Sequence, residues 1–134
     1  MSLITDKWIG SEYFKIYDFH HIECYVGNAK QSLYYYCLVM GFTPFAYKGP
    51  ETGNKDFSSY VLKKNQIFIV LTSPIDSKHK SNDWIHKHGD GIYDIAFLVD
   101  DSKDAYDSCL SRGAESAYKP KLNSDNSYCS SGIR

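Results

Sequence analysis

The chain has 134 residues, 43% of them hydrophobic and 23% charged, with a formal net charge of −1. That is enough for one domain with its own core. Acidic and basic residues are interspersed, so there is no basic stripe to neutralise phosphates and no nucleic-acid partner is expected. The longest apolar run, Ile67 to Leu71, is strand-sized, so no membrane partner is expected either. The opening "MSLITDKWIGSEYF" lacks the basic flank and apolar stretch of a secretory signal, and a cytoplasmic location is expected. Cys24, Cys37, Cys109 and Cys129 form no CxxC pair, which argues against zinc-ribbon and thioredoxin readings and predicts four free, buried thiols. Aromatic residues make up 16%, with 12 tyrosines. Such residues suit half-buried sheets and partner surfaces.

Residues 1–16 show no clear period and read as an arm. Phe19 to Gly27 alternates as a strand. Asn28 is a plausible N-cap, and Ala29 to Met40 reads as a helix with Leu33, Tyr36, Cys37 and Met40 on one face. Gly41 closes it. Thr43–Lys48, Phe57–Lys63 and Gln66–Ser73 read as strands, with "GPETGNKD" a loop and "KKNQ" a turn. The polar connector "PIDSKHKSNDWIHKHGDG" holds a short helix near Asn82–Lys87. Ile92–Val99 is a strand. Asp101 or Ser102 then caps a second helix with Ala105, Tyr106, Cys109 and Leu110 on one side, ending at Gly113. Glu115–Lys119 is a strand, "KPKLNSDNS" a turn, and Tyr128 begins another strand.

The order is β-α-β-β-β, a connector, then β-α-β-β. These are two similar units, about 17–75 and 90–134 with a connector at 76–89, and each needs the other to bury its sheet. The predicted class is α+β: paired βαβββ units of the vicinal oxygen chelate fold, in which two half-sheets form a cup around a metal. The last strand of the second unit is expected to be missing. His21 stands near the start of the first unit and Asp94 at the equivalent point of the second. A His and a carboxylate can belong to a two-His-one-carboxylate iron site. No third ligand appears at a matching position, so His21 and Asp94 are weak metal candidates, and ordinary strand residues are the plainer reading. His86 and His88, at i and i+2, do not share a helix face; they and His79 read as solvated. "HGDG" imitates a phosphate loop but is not set between a strand and a helix. No Ser-His-Asp or Cys-His arrangement is present.

Four ordered blocks carry a resemblance: "VGNAKQ" at Val26–Gln31, "YC…MGF" at Tyr36–Phe42, "AYKGPETG" at Ala46–Gly53, and "HGDGIYDIAFLVDD" at His88–Asp101. Over about residues 17–134 the chain resembles the N-terminal domain of the 4-hydroxyphenylpyruvate dioxygenases, a pattern the hydroxymandelate synthases largely share. The resemblance implies a longer enzyme. Its Fe(II) is bound by two His and one Glu in a C-terminal catalytic domain and converts 4-hydroxyphenylpyruvate and O2 to homogentisate and CO2 in tyrosine catabolism. The N-terminal half would hold no metal or cofactor and no catalytic residue. Its partners would be its own catalytic domain and further copies in a homo-oligomer. Asp94 occupies the place where the catalytic domain has its second His. The stop at Arg134 reads as a truncation, and this chain alone is expected to be inactive. Two other readings are a binding or scaffold module of the same fold, and a stand-alone metalloenzyme using His21 and Asp94.

Overall fold

A computed structural model describes residues 13–123 and 127–134. The proposed arm therefore lies mostly outside the described residues, as does part of the "KPKLNSDNS" turn. The elements, in order, are β1 (Ile16–Tyr25), α1 (Ala29–Leu38), β2 (Thr43–Lys48), a single 3-10 turn at Pro50–Thr52, β3 (Phe57–Lys64), β4 (Ile67–Pro74), α2 (Lys80–His88), β5 (Gly91–Val99), α3 (Ser102–Ser111), β6 (Ser116–Leu122) and β7 (Cys129–Ile133). The β-α-β-β-β then β-α-β-β order and the α+β class are as the sequence predicts. The second sequence repeat, from β5 onward, has three strands among the described residues against four in the first repeat.

The described residues divide into two compact units, Phe19–Phe97 and a second made of residues 98–123 and 127–134 with residues 13–18. In the first, five strands run in the order β2-β3-β4-β1-β5. The hairpin from β2 through β4 is antiparallel, with a bulge between Pro44 and Ala46. β1 lies parallel to β4, pairing Ile22 with Ile69 and Cys24 with Leu71. A parallel pair needs a crossover, and α1 with the hairpin supplies it.

α1 starts where the Asn28 side chain accepts the Gln31 N–H at 3.0 Å. It packs on β3 and β4 through Val26, Ala29, Phe42, Leu62 and Leu71, with Leu33, Tyr36 and Cys37 against them. Leu62 and Leu71 are fully excluded from water. The helix ends two residues earlier than predicted, at Leu38. Met40, expected on its apolar face, lies in the closing turn and is 46% exposed; once the backbone leaves the helical path, the period of 3.6 no longer places side chains.

In the second unit α3 is capped by Asp101, whose carboxylate accepts the Lys103 and Asp104 N–H groups at 2.7 and 2.9 Å. Those two donors hold the Asp101 carboxyl below its ordinary range. Ala105 and Tyr106 are buried. The Tyr106 hydroxyl donates to Ser116 at 2.5 Å, and the Ser102 and Ser131 hydroxyls meet at 2.8 Å. β6 and β7 form an antiparallel pair in which Tyr118 faces Gly132. All four cysteines are free as expected, but they are not deeply buried: Cys24, Cys37 and Cys109 are half-buried, and Cys129, opening β7, is exposed.

Gly41 and Gly113 close α1 and α3 at φ 71° and 97°, a left-handed turn that a β-branched side chain resists. Gly41→Val and Gly113→Val are each expected to cost about 1–3 kcal/mol. Urea midpoints for both variants should fall; unchanged midpoints would show that these turns relax freely.

Candidate functional site

Residues alternate between faces along a strand. Cys24 of β1 packs toward α1, so His21 and Glu23 fall on the opposite face. There Glu23 accepts the Thr72 hydroxyl at 2.7 Å, and Ser59 meets Thr72 at 2.9 Å. Thr72 is almost wholly buried, so this chain satisfies a hydroxyl that burial would otherwise penalise.

His21 is half-buried in β1, five residues in from the strand's first residue. Its Nδ1 lies 2.7 Å from Nδ1 of His20, so one ring donates a proton and the other accepts it. Burial, and next the neighbouring His20, lower the His21 pKa below its ordinary value; Asp94 and Glu23 pull it the other way. His21 and Asp94 are thus within electrostatic reach of each other. Among the described residues no group of three His, Cys, Asp or Glu side chains converges as a metal site. His86 and His88 are exposed on α2, as predicted.

His79 departs from its solvated reading. It is the N-cap of α2: its Nδ1 accepts the Ser81 N–H at 3.4 Å and meets the fully buried Ser81 hydroxyl at 2.7 Å. Its ring packs 4.9 Å from Phe57. Burial, then the adjacent Lys80, lower its pKa, against Asp56, Glu23 and Asp76. A histidine is not among the residues that propensity favours at an N-cap, so the sequence pattern passes over it.

The aromatic cluster around Tyr25 is also not read from the sequence. Tyr25 is 1% exposed. It stacks on Tyr93 at 3.9 Å and meets Trp84 edge-on at 5.8 Å. Lys80 lies 4.8 Å over the Tyr93 ring. Burial foremost, with Glu23 and Tyr93, pushes the Tyr25 hydroxyl well above its usual range, so it stays protonated. The only forerunners in the sequence are "ECY", "DWI" and "GIY", three separate segments with no period in common. Two surface recesses, about 430 Å³ beside Phe45, Lys63 and Lys64 and about 310 Å³ beside Asp56, Asp76 and His79, include neither His21 nor Asp94.

The glyoxalase/bleomycin resistance protein/dioxygenase superfamily model matches residues 20–129. The chain belongs to this superfamily. It is similar to the 4-hydroxyphenylpyruvate dioxygenases of Danio rerio, 38% identical over 93% of this chain and 32% of that protein, and of Sus scrofa, 41% over 85% and 29%. The Dictyostelium discoideum enzyme is 42% identical over 76% and 28%. The chain spans about a third of the length of these curated relatives. Among solved structures, a variant of 4-hydroxymandelate synthase from Streptomyces coelicolor superposes with a TM-score of 0.75 at 30% identity, over 80% of this chain and 31% of that one. A Streptomyces coelicolor methylmalonyl-CoA epimerase variant gives 0.69 at 20% identity over 82% of each chain, a likeness of fold alone. The superfamily's vicinal oxygen chelate fold is the one that the paired units predict. No helix among the described residues is long and apolar enough to cross a membrane.

His21 and His79 both have folded pKa values below the ordinary 6.5. Below that pH the unfolded chain takes up protons first, so stability falls as pH drops toward the folded pKa values. The melting temperature is expected to be lower at about pH 5.5 than at about pH 7.5. The double variant His21→Asn, His79→Asn should flatten that slope; an unchanged slope would place the titration elsewhere.

Proposed function

We propose that this chain is the N-terminal, metal-free part of a 4-hydroxyphenylpyruvate dioxygenase. The full-length enzyme would use Fe(II) in a C-terminal domain to turn 4-hydroxyphenylpyruvate and O2 into homogentisate and CO2. The observation that carries this reading is identity of 38–42% to curated dioxygenases across 76–93% of the chain. An iron site of this class needs two histidines and a carboxylate on one face, whereas His21 and Asp94 have no third partner among the described residues. Glu23, the nearest carboxylate on β1, is held by Thr72. No catalytic or cofactor-binding role is therefore given to residues of this chain.

In this reading residues 1–16 are an arm, 17–75 and 90–134 are the paired units, and 76–89 connect them. The partners are the chain's own catalytic domain and other copies of the enzyme, in the cytoplasm. The likeness to 4-hydroxymandelate synthase supports a second reading, a relative of the hydroxymandelate synthase type.

The purified chain, loaded anaerobically with Fe(II), is expected to hold no stoichiometric iron by elemental analysis. It should also form no homogentisate. One iron per chain, lost in His21→Ala, would overturn the metal-free assignment. Product analysis of the full-length enzyme that contains this chain separates the two readings: homogentisate supports the first and hydroxymandelate the second.

A further inference from the structure

α2 begins at a side chain that titrates near neutrality. His79 is its N-cap: Nδ1 accepts the Ser81 N–H at 3.4 Å and meets the Ser81 hydroxyl at 2.7 Å. Ser81 is wholly excluded from water, so no solvent replaces that acceptor while the helix is docked. A histidine accepts a hydrogen bond only while neutral; once protonated, both ring nitrogens are donors. Protonation of His79 therefore orphans the Ser81 N–H. It also sets a positive charge at a helix N-terminus, the end that favours negative charge. The charged groups around the ring are mixed. Lys78 and Lys80 flank it in the chain, and Asp83 lies in the first turn of α2. Asp76 follows β4, Asp56 precedes β3 and Glu23 stands on β1. Asp56, Glu23 and Asp76 favour a charged ring, but burial and then Lys80 outweigh them. The turns that His79 caps cover the aromatic cluster. Lys80 lies 5.8 Å over the Tyr25 ring and 4.8 Å over that of Tyr93, and Trp84 meets the two edge-on at 5.8 and 6.0 Å.

From this we infer that His79 is a proton-operated latch: on taking up a proton it releases the first turns of α2, and Lys80 and Trp84 lift from the Tyr25–Tyr93 stack. The docked helix resists charge on the ring, so the released helix binds the proton more readily and acid shifts the balance toward release. The latch is shut well above the ordinary 6.5, and it loosens as pH falls through that value toward the lowered one of the folded ring. Tyr25, only 1% exposed in the docked state, is the side chain that release uncovers. The rest of the sheet keeps its strand pairing, because α2 contributes no strand to it. Release is thus a local opening, distinct from unfolding of the whole domain.

The test is hydrogen exchange of the purified chain at about pH 7.5 and about pH 5.5, read as protection factors so that the intrinsic pH dependence of exchange cancels. The α2 amides are expected to lose up to about tenfold of their protection at the lower pH. They should do so through an opening that low urea does not speed, whereas global unfolding is speeded by urea. His79→Asn keeps a capping acceptor that does not titrate and should hold α2 equally protected at both pH values. His79→Ala removes the acceptor and should leave α2 weakly protected at both. Unchanged α2 protection in the wild type, α2 exchange only through the global unfolding that frees α1, or a loss that persists in His79→Asn overturns the latch. Nitrogen NMR shifts of the wild-type His79 ring decide the point if a variant fails to fold. At the higher pH Nδ1 should be the unprotonated nitrogen, and a proton found there overturns the cap on which the latch depends.

Discussion

The parallel pairing of β1 with β4 is the constraint on which the rest of the first unit depends. It brings Cys24 beside Leu71 and ends with the Val26 N–H donating to the Thr72 carbonyl at 3.0 Å. β1 leads directly into α1, so this pairing lays the helix over β3 and β4. Leu62 and Leu71 then lose all contact with water, a burial worth about 1.5–3 kcal/mol for each side chain. Without that pairing nothing would tether the start of α1 to the β2–β4 strands it covers. β5 would have no partner, because its neighbour in the sheet is β1.

The two repeats reach the same helix geometry by different means. Both helices begin at an Asx cap, Asn28 or Asp101, and both are closed by a left-handed glycine. α1 is then held by apolar packing. α3 relies more on hydroxyl groups: Tyr106 to Ser116, and Ser102 to Ser131. Each such bond contributes about 0.5–1.5 kcal/mol net, and leaving a buried hydroxyl unpaired costs more, so these contacts specify position as much as they stabilise.

The face of β1 that carries His21 is also rich in hydrogen bonds. Its carboxylate, Glu23, caps a line of hydroxyls running through Thr72 to Ser59. His21 shares a proton with His20. Pairing of β5 with β1 brings Asp94 within electrostatic reach of His21, while Glu23 is drawn to the buried Thr72.

Element order, the Asn28 cap and both closing glycines were legible in the sequence, because each depends on a local period or on the backbone freedom of one residue; the α3 cap was narrowed only to Asp101 or Ser102, and β6 runs on to Leu122 through residues read as a turn. The family was legible too, in blocks such as "VGNAKQ" and "HGDGIYDIAFLVDD". The ends of α1 and the exposure of Met40 were not, because they depend on how the turn into Phe42 closes against the core. His79 as an N-cap, the stacked Tyr25 and Tyr93, and the Glu23–Thr72–Ser59 line were not legible either. Each joins residues from segments far apart in the chain, or uses a side chain against its usual preference. Local sequence therefore determined which elements form and in what order. Only the tertiary structure decided which polar groups face one another, because that depends on distances that no periodicity along one segment records.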